Sequence, residues 1–266
     1  MLTNFHTHTT FCDGKNTAEE MVLAALEKGF TALGFSGHGT TPEDLSYCMR
    51  DMDGYIAEVK RLQEKYKKDI RIYLGVEEDC WAPVDRSRFE YVIGSSHYLQ
   101  VGGKRYDADH NVDTLKQAIA AFGGDKLALA EHYYDTFCTY LEQRKPDIVG
   151  HFDLLTKFDE GEEAFFLCDP AYMALARAYI RRAAKTGCVF EVNTGAMARG
   201  LRTSPYPCDE LLHELKKNGA RLVLNSDSHS VTTLDFGFNE AKAKLRDIGF
   251  VKLVALSDNG FVEYEI

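Results

Sequence analysis

The chain has 266 residues, 45% of them apolar and 27% charged, a composition that can fill a sizeable core and excludes a disordered or fibrous chain. Its formal charge of -10 argues against wholesale neutralisation of a nucleic-acid backbone. No run of about eighteen apolar residues marks a membrane span, so the expected partner is a small molecule, with no nucleic acid and no membrane, and the oligomeric state is left open.

Cys12, Cys48, Cys80, Cys138, Cys168, Cys188 and Cys208 are scattered and form no C-x-x-C, so neither a disulfide framework nor a thiolate zinc site is expected. Reduced thiols point to the cytoplasm. The opening MLTNFHTH has no basic segment leading into an apolar run, and no signal peptide is read there.

The first predicted strand, LTNFHTH, ends in His6 and His8, two apart and therefore on one face, with Asp13 in the loop that follows. TAEEMVLAALEKG reads as a helix, with Thr17 capping a turn that carries Glu20 and Gly29 as its stop. TALGFSGH is a strand ending in His38, and MDGYIAEVKRLQEKYKK is a helix whose charges form a solvated face. IRIYLGVEED is a strand ending at Glu77; alternation turns Glu78 to the other face, and Glu78 and Asp79 are both left out of the metal shell. YVIGSSH ends in His97.

NVDTLKQAIAAFGGDKLALAEHYYDTFCTYLEQR reads as helical throughout and precedes DIVGHFDLL, which carries His151. FDEGEEAFFLCDP reads as a surface loop. Helical PAYMALARAYIRRAAKTG, stopped at Gly187, precedes the strand CVFEVNT, and MARGLRTSPYP reads as a second surface loop. Helical DELLHELKKNG, stopped at Gly219, precedes ARLVLNSDSH, which closes on Asp227 and His229; a last helix near TLDFGFNEAKAKLRDIG stops at Gly249. There is no repeat of fixed period, no low-complexity tract and no linker. Strands alternating with helices imply a mainly parallel sheet, and six or more such units favour a closed α/β barrel forming one domain over residues 1–266.

Of seven predicted strand ends, six carry a metal-ligand residue type, on the face where parallel barrels build their sites. A lone histidine there is more often solvated than ligating; the set is another matter. His6, His8, Asp13, His38, Glu77, His97, His151, Asp227 and His229 are all nitrogen or oxygen donors of the kind that zinc, manganese or iron accepts. One open catalytic zinc takes about three protein ligands, so nine donors imply two to three divalent ions. His110, His132 and His213 fall outside the pattern: His213 reads as a solvated helix position, His110 as the start of a polar loop, and His132 as ambiguous between helix surface and substrate contact.

HTH with Asp13, His38, GVE with Glu77, SSH with His97, GHFD with His151, and SDSH with Asp227 and His229 run in this order over residues 6–229 and resemble the polymerase and histidinol phosphatase (PHP) family. The resemblance implies a distorted (β/α)7 barrel in place of the eight-stranded form, which periodicity alone does not distinguish. It implies a first metal held by His6, His8, Glu77 and Asp227, a second reached by Glu77 as a bridge and held also by His97 and His151, and a third held by Asp13, His38 and His229. Asp13 stands where some relatives have histidine, and an anionic ligand there favours harder ions. Length, and NTGAMARG after a strand, are similar to the stand-alone phosphatases of that family, which implies hydrolysis of L-histidinol phosphate in histidine biosynthesis.

That reaction needs a nucleophile at neutral pH, neutralisation of phosphoryl charge and a proton for the leaving alkoxide. Clustered divalent ions supply the first two, since coordination brings the pKa of water from about 15.7 to about 7. The expectation is attack by a hydroxide bridging the first two metals, without a phosphoenzyme. Glu77, Asp227 and His229 are the catalytic candidates, and the proton comes from Asp227, His229 or water. For the phosphate, Arg199 in NTGAMARG is the first choice, because a guanidinium forms charge-assisted, bidentate bonds; Lys157 and Arg202 are weaker candidates. Asn193 and Thr194 end another strand and order the loop or touch substrate. Three alternatives remain: a nucleotide or nucleic-acid end as substrate, an amidohydrolase barrel, for which no convincing bridging lysine is found, and a non-catalytic module, which predicts eroded ligands.

Overall fold

A computed structural model gives the fold, and residues 1–41 and 44–266 are described. The first half of the chain runs β1 (Thr3–Asn4), α1 (Ala18–Glu27), β2 (Ala32–Phe35), α2 (Met52–Tyr66), β3 (Arg71–Asp79), β4 (Tyr91–Ser95), β5 (Tyr98–Val101), β6 (Lys104–Asp107), α3 (Val112–Ala121) and α4 (Lys126–Arg144). The second half runs β7 (Ile148–Val149), α5 (Pro170–Ala184), β8 (Val189–Asn193), α6 (Gly195–Ala198), α7 (Asp209–Lys217), β9 (Leu222–Asn225), α8 (Phe238–Ile248), β10 (Lys252–Ser257) and β11 (Gly260–Glu265).

Seven strands pair in parallel in the order β1, β2, β3, β4, β7, β8, β9. Beyond β1 and β9 the two edges meet in a parallel bridge between Thr7 and Ser228. There the His8 N–H donates to the Ser228 carbonyl at 2.8 Å, and the Ser228 N–H to the His6 carbonyl at 3.1 Å. The sheet thus curls into a nearly closed, seven-stranded barrel with helices between its strands, the expected class.

Local chemistry accounts for the elements. Thr17 and Glu20 form a reciprocal capping box at the start of α1, whose Ala18, Met21, Val22 and Ala25 make a buried stripe at helical spacing. The stretch expected to be one long helix divides into α3 and α4, because Gly123 and Gly124 both adopt positive φ (67° and 83°) and Asp125 caps a new helix. Two antiparallel hairpins, β5 with β6 and β10 with β11, were not among the expected elements. The second covers the N-terminal mouth of the barrel: Val254 and Ala255 share a cluster with Phe5, Tyr73, Ile93, Ile148 and Val223, and the Tyr73 hydroxyl donates to the Leu256 carbonyl at 3.1 Å.

Neither predicted surface loop is simply a loop. In 158–170, Asp159 accepts from the backbone N–H groups of Phe165, Phe166 and Leu167, which draws both phenylalanines into the core. In 197–207, the Tyr206 backbone pairs with Asn193, and Arg202 and Tyr206 are buried.

Along β3, Tyr73, Gly75, Glu77 and Asp79 face the barrel interior. Glu78 faces outward, as alternation predicts, into a buried pocket where it accepts from Arg86, Arg144 and Tyr140. The lower interior is filled by the Tyr91 ring, and a Cβ on Gly75 would lie 2.2 Å from its Cζ. Gly75→Ala is therefore expected to destabilise the fold by about 1–3 kcal/mol, the usual cost of overpacking, read as a lower urea midpoint at unchanged slope.

Candidate metal centre

Filling the lower barrel with aromatic rings leaves the upper half to polar side chains. Phe5 packs inward on Tyr73 and Tyr91, with ring centroids 5.7 and 6.3 Å away, yet the next residue, His6, also points inward. A regular strand cannot do both. The strand ends at Asn4, whose side-chain oxygen accepts the His6 N–H at 3.1 Å and supports the break in alternation. His6 and His8 are then fully buried side by side, ring centroids 5.2 Å apart.

Glu77 occupies the centre. Five imidazoles surround its carboxylate: His38 Nδ1 and His151 Nε2 at 2.9 Å, His6 Nε2 at 3.2 Å, His97 Nε2 at 3.4 Å and His8 Nε2 at 3.6 Å. Asp227 Oδ1 lies 3.1 Å from His8 Nε2 and 3.6 Å from both His6 Nε2 and His229 Nδ1. Asp13 approaches His229 Nε2 at 3.2 Å and His38 Nε2 at 3.7 Å. All nine expected donors thus converge on one centre. Donor atoms within 4.8 Å of one another fall into overlapping groups: His6, Glu77 and His151; His6, His8 and Asp227; His38, Glu77 and His97; and His8, Asp13, His38 and His229.

Electrostatics describe a centre built for cations. Burial disfavours charge on Glu77 and Asp227, but their neighbours outweigh it, imidazoles around Glu77 and chiefly Arg199 and His6 around Asp227, and hold both carboxyls well below the ordinary range. Burial likewise opposes charge on His6, yet Glu191, Glu77 and Asp227 drive its pKa well up; His97 is raised against burial by Glu77 and Asp79. His8 is pushed down to about 3 by burial and by His229 and His38. Among buried side-chain atoms without a hydrogen-bond partner are His6 Nε2, His8 Nε2 and Glu77 Oε2, three donors facing one another. Orphaned atoms so disposed fit divalent metal, which lies about 2.0–2.2 Å from nitrogen and oxygen ligands.

Above the centre opens a cavity of about 740 Å³, lined by the donors and by Tyr47, Tyr98, Asp109, Lys157 and Arg199 among others. Arg199 follows α6 and holds Asp227 Oδ2 at 3.0 Å while facing the cavity. Lys157 also faces it, but its ammonium is committed to the Asp109 carbonyl and carboxylate at 2.6 and 2.8 Å. Arg202 does not reach the cavity, which corrects the expectation of a phosphate contact. The chain reverses at Gly200 (φ 69°), and the Arg202 guanidinium is buried over the Tyr206 ring, centroid 4.5 Å away, beside Thr156 and Asp153. Asn193 orders the loop, its Oδ1 accepting the Gly195 N–H at 2.8 Å, and the Thr194 hydroxyl donates to the Phe236 carbonyl. His132 lies on α4 beside Phe122, away from the cavity, whereas His110 lies at the cavity wall.

Glu191 was missed by sequence reasoning, although its parity with Asn193 in VFEVN puts a carboxylate on the inner face. Fully buried, it contacts His6 Nδ1 at 2.9 Å and accepts from the His151 N–H at 2.8 Å. Asp79 plays a like part, accepting the His97 N–H at 2.8 Å and lying 3.2 Å from its Nδ1. The Ser95 hydroxyl donates to Glu77 Oε1 at 2.6 Å.

Fold and site together define a metal-binding α/β barrel with its donors at the C-terminal ends of the strands. The chain belongs to the PHP domain family, whose model matches residues 4–195; Asp227 and His229 lie beyond the matched span. It is 26% identical to the "Probable histidinol-phosphatase" of Schizosaccharomyces pombe over 93% of this chain and 87% of that protein. It is 24% identical to the histidinol-phosphatase of Bacillus subtilis over 88% of this chain and 95% of that one. The crystal structure of histidinol phosphate phosphatase from Lactococcus lactis, complexed with zinc, L-histidinol and phosphate, superposes with a TM-score of 0.74 at 20% identity, covering 98% of each chain.

Metal binding displaces protons from these imidazoles, so its contribution to stability grows as pH rises. In the chelated protein the raised pKa values of His6, His97 and His229 act oppositely, stabilising at pH below the ordinary imidazole value and fading as pH climbs through the raised ones. The melting temperature is expected to rise with added zinc or manganese, by a gap that narrows from about pH 8 to about pH 6. Differential scanning calorimetry of loaded and chelated protein measures that gap.

Proposed function

We propose that this chain is a metal-dependent phosphomonoesterase that hydrolyses L-histidinol phosphate to L-histidinol and phosphate. The observation that carries the reading is the convergence of nine nitrogen and oxygen donors on buried Glu77, opening to a cavity in which Arg199 stands beside Asp227. The relatives from Schizosaccharomyces pombe and Bacillus subtilis, matched over 87% and 95% of their length, carry the histidinol-phosphatase name.

His6, His8, Glu77 and Asp227 would hold a first ion, Glu77 with His97 and His151 a second, and Asp13, His38 and His229 a third. Zinc, manganese and iron all suit these donors. Such ions, when bound, neutralise phosphoryl charge and make water a nucleophile at neutral pH. The chain's own groups do the rest. Glu77 presents one carboxylate oxygen to His6, His8 and His38 and the other to His97 and His151, so it spans two neighbouring sites. Asp227 gives Oδ1 to the histidines and Oδ2 to Arg199, fixing the guanidinium at the edge of the metal centre, where its remaining N–H groups meet phosphate oxygens. No cysteine or serine nucleophile is needed.

The cavity wall formed with the β5–β6 hairpin carries Asp107 and Asp109, with Asp44 close by on Tyr98, whose hydroxyl donates to it at 3.2 Å. With Asp109 paired to Lys157, Asp44 and Asp107 supply the charge that suits the cationic remainder of histidinol phosphate and repels a polyanion such as a nucleic-acid end.

Turnover of histidinol phosphate is expected to exceed that of nucleoside monophosphates and short oligonucleotides; a preference for nucleotides overturns the substrate. His8→Ala and Glu77→Ala are each expected to lower kcat about a thousandfold or more, the scale of several kcal/mol of lost metal catalysis. Arg199→Ala chiefly raises KM, and unchanged kinetics would move the phosphate grip to another residue.

A further inference from the structure

We propose that Glu191 is a positioning residue that fixes the tautomer of His6 and ties it to His151, so that a single carboxylate on β8 prepares ligands of two metal sites. The inference rests on His6 and His151 being ligands, as proposed above, and concerns a residue outside the nine donors.

Glu191 receives donors on both oxygens. Oε1 accepts from the His151 backbone N–H at 2.8 Å and from Asn193 Nδ2 at 2.8 Å; Oε2 accepts from Asn225 Nδ2 at 3.0 Å and lies 2.9 Å from His6 Nδ1. The two amides cannot turn round. Asn193 Oδ1 is held by the Gly195 N–H at 2.8 Å, and Asn225 Oδ1 by the Phe5 N–H at 2.9 Å, so each must present its NH2 to Glu191. Only an acceptor-only group satisfies that surround, and an ionised carboxylate is one.

The consequence falls on His6. Its Nδ1 faces a carboxylate oxygen and must carry a proton, because two lone pairs would otherwise meet at 2.9 Å. Nε2, which lacks any hydrogen-bond partner, faces Glu77 Oε2 at 3.2 Å and Asp227 Oδ1 at 3.6 Å, so it is the nitrogen left to offer its lone pair to an ion seated between those carboxylates. Imidazole protonated on Nδ1 alone is the form a divalent ion binds, and a carboxylate behind the ring selects that tautomer once the ion displaces any proton from Nε2. Through the His151 N–H, the same carboxylate sets the backbone at the end of β7. Removing it loosens both sites together.

Glutamine at 191 has the same shape and the wrong chemistry. Whichever way its amide turns, the NH2 meets two donors: His151 N–H with Asn193 on one side, or His6 Nδ1–H with Asn225 on the other. Relief on the His6 side requires the proton to move to Nε2, which blocks the metal.

Two measurements on the full-length protein test this. In zinc-loaded wild type labelled with 15N-histidine, long-range correlations are expected to place the His6 proton on Nδ1; a proton on Nε2 overturns the proposal. In Glu191→Gln, competition with a chelator is expected to show zinc affinity lowered about 10–100-fold, with circular dichroism and cooperative unfolding retained. Wild-type affinity in that folded variant overturns the proposal, and if the variant does not fold, the wild-type spectrum decides. Neither readout uses turnover. A chain that passes both yet leaves histidinol phosphate intact refutes the substrate and not the role of Glu191.

Discussion

A carboxylate buried at the axis of a barrel, with five imidazoles around it, is the constraint on which this structure turns. Glu77 is 1% exposed and ionised, a state whose desolvation cost runs to several kcal/mol unless partners surround the charge. The ends of β1, β2, β4 and β7 supply those partners. The arrangement makes little sense as a stabilising device, because buried ion pairs seldom outperform apolar packing of equal volume. It makes sense as a cradle whose excess protons are exchanged for divalent cations.

The rest of the fold serves that centre. Below it, Tyr91, Tyr73 and Phe5 fill the barrel, and Gly75 leaves room for the Tyr91 ring. The C-terminal hairpin closes that end, so water reaches the centre from the cavity above. Carboxylates behind the histidines complete the preparation: Asp79 behind His97 and Glu191 behind His6. Arg199, tethered to Asp227, joins the phosphate-gripping edge to the metal donors. A change at any one of these layers is thus felt by the next.

Much of this was legible in the sequence, for a physical reason. Metal ligands of a parallel barrel must stand at strand ends, and apolar runs mark where strands end, so HTH, GVE, SSH, GHFD and SDSH could be read directly. What escaped was set by tertiary context. Arg199 and Arg202 stand three apart in one loop, and only the reversal at Gly200 sends the first to the cavity and the second beneath Tyr206. Lys157 carries the right charge, but Asp109, brought by an unforeseen hairpin, already holds it. The regular alternation assumed for the first strand fails after Asn4, and His6 reaches the centre only because it fails. Glu191 is hidden because a carboxylate within an apolar strand resembles an exposed edge residue until the barrel closes around it.

The account stands on several adjacent cations lying within the nine donors around Glu77 while the enzyme turns over. X-ray diffraction from crystals of active protein, recorded on both sides of the bound metal's absorption edge, tests this most directly. Anomalous density is expected at neighbouring positions on either side of the Glu77 carboxylate, within bonding distance of His6, His8, His97, His151 and Asp227. A fully active crystal with no anomalous density at that carboxylate would contradict the account.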